Sequence, residues 1–387
     1  MKRPLVSRLP DVGTTIFTVM SQLATELGAV NLGQGFPDFD CDPQLQALVT
    51  DAMRAGHNQY APMAGVPALR QAIADKTARL YGHAYDPGSE ITVTAGATQA
   101  LMTAILAVVH PGDEVIVLEP AYDSYVPAIR LAGGVPVAVQ LREGDYAVPW
   151  DTVRAAVTPK TRLLIVNSPN NPSGAVFSAT DLDALEALVR DFDLLLLSDE
   201  VYEHIVFDGA QHQSVARRTT LADRAFVVSS FGKTFHTTGW KIGYCCAPRE
   251  LSTEFRKVHQ FNVFAVSSPM QYALAAYLRD PEPYATLPAF YEAKRDRFRA
   301  GLATSAFKLL PCPGTYFQLV DYSAISDKSE EMFARWLTTE HGVAAIPTSA
   351  FYGKADEHHV VRFCFGKKNE TLDRALEKLL AIEPGRP

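Results

Sequence analysis

A lysine preceded by glycine follows an apolar, β-branched run that predicts a buried strand over Ala225 to Val228. Ser230 and Gly232 come just before Lys233, and Lys241 follows it. An amine held rigidly past a strand end can form an imine with a bound aldehyde, which is the protein's part in pyridoxal phosphate chemistry. The hydroxyl of Ser230 and the cation of Lys241 suit a phosphate group. We therefore interpret Lys233 as a Schiff-base lysine.

The triplet that begins at Gly232 has an alternative interpretation, a nucleotide-binding loop of the Walker A type. That motif requires glycine at its first position as well as in the Gly-Lys-Thr triplet. Val227 occupies the first position here. The sequence therefore does not support a nucleotide-binding loop.

Polar side chains that suit the same cofactor follow two further predicted strands. Asp199 ends the run Asp193 to Ser198, and a carboxylate there is costly unless it has a partner, such as a protonated pyridine nitrogen. Tyr202 and Asn171 follow these strands, where each could bind the phenolic oxygen of the ring. The alternatives are a helix cap for Asp199 and an ordinary turn residue for Asn171.

Three other positions carry weaker signals. The amides of Ala97 and Thr98 begin a predicted helix after a glycine turn, and such first-turn amides bind phosphate. Tyr122 follows a strand and could lie flat on a pyridine ring, although core packing is an equal alternative. Arg362 lies in an apolar strand and needs a partner, either a carboxylate ligand or an internal salt bridge.

The elements that would position these residues alternate between strand and helix. Strands are predicted at Ile91–Thr94, Val115–Leu118, Val135–Gln140, Leu163–Val166, Leu194–Leu197, Phe226–Val228 and Ile242–Cys245. Helices are predicted at Gln44–Ala55, Val66–Tyr81, Ala97–His110, Asp181–Asp191 and Ser268–Leu278. This alternation predicts an α/β fold with a mostly parallel central sheet. Ligands collect at the carboxyl ends of such strands, where the motifs lie.

The pattern divides the chain into two domains. Residues 41–280 are predicted to form the large domain, and Pro281-Glu282-Pro283 interrupts its pattern. Residues 281–387, with a long helix near Pro288 to Leu302, predict a smaller α+β domain. Residues 1–40 contain few clear elements, and we expect them to pack with this smaller domain.

The composition is that of an ordinary globular chain of 387 residues, with a formal net charge of −7 and no long basic run. Non-specific nucleic-acid binding is disfavoured. No apolar run is long enough to span a membrane, and the basic start has no apolar core that would indicate a signal peptide. The five scattered cysteines favour reduced thiols in the cytoplasm, and no metal-ligand spacing is present.

Together these motifs resemble those of the class I/II aminotransferases of pyridoxal phosphate fold type I. The resemblance extends from about Thr15 to Leu380. Its specific segments are Asn31–Phe39, Asn58–Tyr60, Asn170–Pro172, Ser198–Tyr202 and Ser230–Gly243. Within the family, the chain is most similar to the branch of bacterial methionine aminotransferases and kynurenine aminotransferases (glutamine transaminase K).

The resemblance implies a role for each candidate residue. Lys233 would form the Schiff base and move the proton, and Asp199 would pair with the pyridine nitrogen. The other residues implied to bind the cofactor are Asn171 and Tyr202 at the phenolic oxygen, Tyr122 on the ring, and Ser230, Lys241, Ala97 and Thr98 at the phosphate. Tyr60 would reach the cofactor of a second subunit, which implies a homodimer with shared sites. Residues implied to bind the substrate are Gly35, Asn171, Arg362, Ile16, Phe17 and Phe264.

The function implied is a ping-pong transfer of the amino group of an L-amino acid to a 2-oxo acid. The apolar and aromatic candidates favour methionine, aromatic or similar donors. One alternative is a carbon–sulfur β-lyase that uses the same lysine on the same fold. A second is a regulator that senses pyridoxal phosphate. Such a regulator requires a DNA-binding module, and the pattern that begins near Thr15 leaves no room for one before it.

Overall fold

The computed structural model describes residues 5–354 and 358–385. The strands are β1 Val30–Asn31, β2 Ile91–Thr94, β3 Glu114–Glu119, β4 Val135–Gln140, β5 Thr161–Asn167, β6 Leu195–Asp199, β7 Ala225–Ser230, β8 Gly243–Cys246, β9 Lys308–Leu309, β10 Phe317–Asp321, β11 Val343–Ala344, β12 Ile346–Pro347 and β13 Val360–Cys364. The helices are α1 Ile16–Leu27, α2 Pro43–Arg54, α3 Pro67–Tyr81, α4 Gly96–Val108, α5 Tyr125–Ala132, α6 Trp150–Ala156, α7 Ala179–Phe192, α8 Thr219–Ala222, α9 Phe231–Thr234, α10 Arg249–Asn262, α11 Ser268–Tyr277, α12 Glu282–Ala285, α13 Leu287–Leu302, α14 Glu330–His341 and α15 Asn369–Leu380. Short 3-10 turns occur at Val215–Arg217, Thr238–Trp240 and Thr348–Phe351.

The largest sheet has seven strands in the order β2-β8-β7-β6-β5-β3-β4. All run parallel except β8, which is antiparallel to its neighbours β2 and β7. The central strands β6 and β7 are buried along their whole length, as expected for strands that are covered on both faces. The predicted α/β fold with a mostly parallel sheet is therefore confirmed.

Helices supply the apolar cover on each face of this sheet. On one face, α4, α5 and α10 bury apolar side chains against β3, β5, β6 and β7. On the other face, α7 contributes Leu182, Leu185 and Leu188 to a larger core that continues beyond the sheet. Because the helices hold the strands on both sides, the loops at the strand ends are fixed relative to one another.

Two smaller sheets are built from the ends of the chain. Strands β12-β13-β10-β9 form an antiparallel sheet with α13, α14 and α15 nearby in the sequence. Strand β1 pairs in parallel with β11, so that Val30 lies opposite Val343. This pairing joins the N-terminal segment to the C-terminal part of the chain. The proposed boundaries of the two domains stay a prediction.

The described part of the first 40 residues contains one helix, α1, which was not predicted, and the two-residue strand β1. Helix α1 begins after Thr15, whose side chain accepts a hydrogen bond from Thr18 N, and ends at Gly28, which adopts a φ of 62°. It buries Met20 and Ala24 and packs against α14. Its β-branched residues weaken the local helical signal, so contact with α14 stabilises it. Within the described residues, no helix is both long and apolar enough to cross a bilayer.

Candidate active site

The carboxyl ends of β5, β6 and β7 meet at one edge of the large sheet. Asn167 ends β5 and lies opposite Asp199, which ends β6, while Ser230 ends β7. A cavity of about 150 Å³ opens beside them. Its lining residues are Gly96, Ala97, Thr98, Leu101, Tyr122, Asn167, Asn171, Asp199, Val201, Tyr202, Ser230, Gly232, Lys233, Thr238, Lys241 and Ile242. The structure therefore brings the residues predicted to bind a cofactor together, except Tyr60.

Lys233 lies in α9, a single helical turn directly after β7. Its Nζ atom lies 3.0 Å from the carbonyl oxygen of Gly35 and 2.8 Å from Tyr316 Oη. Burial lowers the pKa of this amine to about 8. An amine with that pKa is partly neutral near physiological pH, which a nucleophile and a proton acceptor both require.

Asp199 is a buried carboxylate on the cavity wall, with 3% of its surface exposed. Tyr125 Oη donates a hydrogen bond of 2.7 Å to Oδ2, and the Val201 amide lies 3.3 Å from Oδ1. Burial raises the pKa of Asp199 to about 6, while the hydrogen bond from Tyr125 opposes that rise. The carboxylate is therefore ionised at neutral pH and suits a cationic partner.

A second group of residues that line the cavity suits an anion. Ala97 and Thr98 are in the first turn of α4, which begins without a side-chain cap. Gly96 has a φ of 77°, and a Cβ there would lie 3.2 Å from Lys241 Cε, so glycine permits the close approach. Ser230, with its hydroxyl, and the exposed residue Lys241 line the same cavity.

Two tyrosine side chains also line the cavity. Tyr122 lines the cavity, and its hydroxyl lies 3.2 Å from Thr98 Oγ1. Tyr202 is buried, and its ring meets the rings of Tyr316 and Phe317 edge-on at centroid distances of 5.2 and 5.9 Å. A planar ring in this space would therefore contact tyrosine side chains.

Arg362 is buried beside the cavity, 2% exposed, and is anchored on two sides. Its Nη1 donates to Asn171 Oδ1 at 2.7 Å, and its Nη2 donates to the Gly33 carbonyl at 3.0 Å. The guanidinium carbon lies 3.9 Å from the ring centroid of Phe317, a cation–π distance. Nε is buried without a hydrogen-bond partner among the described residues. The guanidinium is therefore held in place, and its Nε–H can still donate a hydrogen bond to an anionic ligand.

The substrate candidates differ in position. Phe17 lies 5.5 Å from the Arg362 guanidinium, whereas Ile16 packs into an apolar cluster with Met20. Gly35 lies against Phe317, where a Cβ would approach the ring to 2.9 Å. Tyr60 and Phe264 are not among the residues that line the cavity.

Tyr60 and Phe264 form an exposed aromatic pair away from the residues that line the cavity. Their ring centroids lie 5.4 Å apart, with 83% of Tyr60 and 38% of Phe264 exposed. Phe264 also adopts a φ of 68°, which is unusual for a residue with a Cβ. The structure of one chain therefore does not bring either ring to Lys233.

Comparison with known proteins identifies the family. The model described as aminotransferase class I and II matches residues 28–379. The chain belongs to the class I and II aminotransferases. It is 52% identical to the methionine aminotransferase of Escherichia coli K12, covering 97% of this chain and 98% of that protein. It is 44% identical to a probable N-succinyldiaminopimelate aminotransferase of Mycobacterium tuberculosis, covering 97% of this chain and 98% of that protein.

A solved structure agrees with the sequence comparison. A crystal structure from Escherichia coli, reported with a methionine aminotransferase function, matches with a TM-score of 0.95 and 52% identity. The match covers 97% of this chain and 99% of that one. The predicted family, fold and enzyme class are therefore confirmed, and this aminotransferase depends on pyridoxal 5′-phosphate as its family does.

The donor set fits that cofactor. The buried carboxylate of Asp199 matches a protonated ring nitrogen, and the uncapped start of α4 matches a phosphate. The amine of Lys233 lies in the same cavity and could meet an aldehyde. These three features of the aminotransferase cavity each have a counterpart on pyridoxal phosphate.

Three residues of the site were not predicted from the sequence. Tyr125 donates to Asp199, and Asn167 Nδ2 donates to the Asp199 carbonyl at 2.9 Å. Tyr316, the residue directly before β10, contacts Lys233. Asn167 stands in the same asparagine-rich turn as Asn171, which was a usable signal. Neither tyrosine had one, because both contacts span long sequence separations.

Proposed function

We propose that this aminotransferase accepts L-amino acids with apolar or aromatic side chains, methionine foremost, and transfers their amino group to a 2-oxo acid. The observation that supports this proposal most directly is the environment of Arg362. Its guanidinium lies 3.9 Å from the ring centroid of Phe317, 5.0 Å from that of Phe351 and 5.5 Å from that of Phe17. A carboxylate bound here would therefore direct the substrate side chain past aromatic surfaces. The identity to the methionine aminotransferase of Escherichia coli supports this substrate class.

Arg362 would hold the α-carboxylate of the substrate, with Asn171 beside it. The hydrogen bond between them aligns the guanidinium, and the Gly33 carbonyl fixes its other edge. Gly35 would leave space for the substrate, because a side chain there would collide with Phe317. Side-chain contacts from Ile16, Phe17 and Phe264 are part of the same proposal.

The cofactor would be held by residues from every side of the cavity. Asp199 would pair with the ring nitrogen, Tyr122 would pack on the ring face, and Asn171 and Tyr202 would bind the phenolic oxygen. Ser230, Lys241 and the amides of Ala97 and Thr98 would bind the phosphate. When bound, pyridoxal phosphate supplies an aldehyde for imine formation and a ring that accepts the electron pair of a broken Cα–H bond.

Lys233 would be the base that moves the proton. With a pKa of about 8, its amine can take a proton from the substrate Cα and return it to the neighbouring carbon of the cofactor. By binding the carboxylate, Arg362 would keep the substrate Cα near Lys233 Nζ. The proton would then move between groups of one bound complex rather than between separate molecules. Burial of Asp199, Tyr202 and Arg362 keeps bulk water away from this transfer.

We also propose a homodimer in which Tyr60 and Phe264 serve the neighbouring subunit's site. Both rings are exposed and lie outside the residues that line their own cavity. An exposed tyrosine beside an exposed phenylalanine is the kind of aromatic surface that interfaces use. A cytoplasmic location is part of the proposal, because all five cysteines are buried free thiols.

A substrate panel tests the proposed substrate class. The cofactor-loaded protein is mixed with single L-amino acids, without an oxo acid, and the absorbance of the bound cofactor is followed. We expect methionine, phenylalanine and tyrosine to convert it at least about tenfold faster than aspartate, since apolar contact is worth a few kcal/mol per side chain. Faster conversion by aspartate or glutamate would contradict the proposed class. Release of pyruvate and ammonia from cystathionine without conversion of the cofactor would instead identify a β-lyase.

A further inference from the structure

The amine of Lys233 takes part in a closed triangle of hydrogen bonds. Nζ lies 2.8 Å from Tyr316 Oη and 3.0 Å from the Gly35 carbonyl oxygen. Tyr316 Oη itself lies 2.8 Å from the same carbonyl oxygen. The tyrosine hydroxyl is thus within hydrogen-bond distance of both the reactive amine and the amine's other partner.

This triangle can satisfy the amine in either protonation state. A charged ammonium donates to both oxygens, while the tyrosine turns its own proton towards the Gly35 carbonyl. A neutral amine has a lone pair, and Tyr316 can then donate to that lone pair while the amine still donates to Gly35. Only a group that both donates and accepts can do this, and a hydroxyl is such a group. A phenyl ring at position 316 would supply neither function.

The position of the hydroxyl is fixed by packing. Tyr316 is fully buried, and its ring contacts the rings of Tyr202, Tyr291 and Phe317 at centroid distances of 5.2, 5.6 and 4.9 Å. A buried ring surrounded in this way has little freedom to move away from Lys233. The packing of the ring therefore holds the Tyr316 hydroxyl oxygen next to Lys233 Nζ.

The other titratable and charged groups near Nζ do not form this contact. They are Asp199 from β6, Tyr202 from the turn after it, Lys241 from the turn before β8, and Arg362 and Cys364 from β13. The two cations oppose a charge on Nζ, whereas Cys364 and Asp199 favour it. Tyr316 is the residue whose side-chain hydroxyl is within 2.8 Å of the amine.

We propose that Tyr316 is a further catalytic residue: its hydroxyl holds Lys233 Nζ in both protonation states through which the amine passes during proton transfer. This inference deepens the proposed function and rests on the assignment of Lys233 as the base. No proton leaves Tyr316 in the process. Its O–H bond rotates, donating to Gly35 while Nζ is charged and to Nζ while the amine is neutral.

The test compares Tyr316→Phe with a matched control, Tyr291→Phe. Tyr291 is also buried and packs on Tyr316, but its hydroxyl has no hydrogen-bond partner among the described residues. Each variant loses one oxygen from the same aromatic cluster. The cofactor content and the free energy of unfolding in urea are measured first for each variant, so that only variants that fold and bind the cofactor are compared.

The first measurement is independent of catalysis. The full chain without cofactor is treated with formaldehyde and a borohydride across a pH series, and methylation of Lys233 is read from peptide masses. Tyr316→Phe removes a hydroxyl that accepts from the charged amine and donates to the neutral one. The hydrogen bond to the charged amine is the stronger of the two, so the variant loses more stabilisation of the charged form and its amine is more often neutral. We expect methylation at pH 6.5 to be about threefold to tenfold faster in Tyr316→Phe and unchanged in Tyr291→Phe.

The second measurement follows the proton. The cofactor-loaded protein reacts once with methionine or with Cα-deuterated methionine, and the change in cofactor absorbance gives the rate of each. In Tyr316→Phe we expect a rate about tenfold lower and a larger isotope effect, because the base is held less well in the step that breaks the Cα–H bond. Tyr291→Phe should match the original protein.

The outcomes separate the two proposals. Unchanged methylation together with an unchanged isotope effect in Tyr316→Phe would overturn the role of Tyr316. An equal change in Tyr291→Phe would also overturn it, because the effect would then come from packing. If the original protein converts no amino acid, the proposed substrate class fails, and the methylation series still decides whether Tyr316 holds the amine.

Discussion

Asp199 and Lys233 show how burial tunes two side chains of opposite charge in one cavity. Burial raises the pKa of Asp199 to about 6 and lowers the pKa of Lys233 to about 8. Between these values the carboxylate is ionised and much of the amine is still charged. The cavity therefore offers an anion for the ring nitrogen and an amine that can give up its proton without extreme cost.

Asp199→Asn is expected to stabilise the cofactor-free fold at pH 8 while it removes the ring-nitrogen partner. A raised carboxyl pKa favours the fold below the ordinary value near 3.8, and this contribution is lost as the pH rises through about 6. The gain from Asp199→Asn should be about 1–3 kcal/mol at pH 8 and should shrink towards pH 4. Urea unfolding at several pH values measures it, and a gain that does not vary with pH would contradict the argument.

Arg362→Lys should weaken recognition of the substrate carboxylate. Lysine keeps the charge but cannot bond Asn171, Gly33 and a ligand with one planar fork. We expect kcat/KM for methionine to fall about tenfold to a hundredfold, since hydrogen bonds to charged groups contribute roughly 1.5–3 kcal/mol. Steady-state kinetics measure this, and the rate with an amine that lacks the carboxylate serves as the control. An equal loss with that amine would mean that Arg362 does not bind the carboxylate.

At the scale of elements, local pattern identified the central strands but not all their helices. Every predicted strand of the large sheet overlaps an observed strand. The signal is clearest for the buried parallel strands, which are continuous apolar runs between turn residues. Helices α1, α5, α6 and α10 and the single-turn helices α8, α9 and α12 were not predicted. Helices α5 and α6 have only 8 and 7 residues, so tertiary contacts rather than local pattern define them. Helix α10 is polar overall but amphipathic, so its pattern was a usable signal that was missed.

The candidate site shows the same division between local and distant information. Residues that follow a strand, such as Asp199 and Lys233, could be identified from the sequence because each lies where ligands collect. Tyr316 could not be identified, because its partner Lys233 is 83 residues away in the chain. A single tyrosine in an apolar context is an ordinary core residue until its neighbours in space are known.

A buried ion pair behind the site connects α3 with the turn after β6. Lys76 Nζ lies 2.6 Å from Glu203 Oε1 and 2.9 Å from Tyr244 Oη, and both charged side chains are 3% exposed. Burial favours the neutral form of Glu203, but Lys76, His204 and hydrogen bonds hold its pKa below the usual range. The pair therefore fixes the turn that carries Tyr202.

Lys76→Met is expected to lower the free energy of unfolding by about 3–5 kcal/mol, because it leaves a buried carboxylate without its cation. The double variant Lys76→Met/Glu203→Gln should recover much of that loss. Lys257→Met removes one partner of an exposed pair and serves as the control, with an effect within about 1 kcal/mol. Chemical unfolding measures all three. An equal effect of the exposed and buried substitutions would contradict this account of the pair.

At the scale of the whole molecule, sharing of sites between subunits can be tested by complementation. Lys233→Ala and Tyr60→Ala should each be inactive or strongly impaired alone. If Tyr60 serves the neighbouring subunit, a mixed dimer of the two variants contains one site with both residues intact. Random mixing should then restore about one quarter of the original activity, because half of the dimers are mixed and each has one complete site.

To measure this, the two variants are mixed, unfolded and refolded together, and the activity of the refolded mixture is assayed. Refolding each variant by itself is the control. If Tyr60 acts within its own chain, no mixed dimer has a complete site, and the activity of the mixture stays at the average of the two variants. That result would remove Tyr60 from the shared site without affecting the assignment of Lys233.

The pairing of β1 with β11 has a consequence for the order of events during translation. Gly33 and Gly35, which contact Arg362 and Lys233, directly follow a strand whose partner begins only at Val343. On the ribosome, the seven strands of the central sheet emerge well before that partner. The nascent chain can therefore assemble its scaffold and the residues that would hold vitamin B6 first, whereas Arg362 and the final placement of Gly33 and Gly35 come only near the end of synthesis.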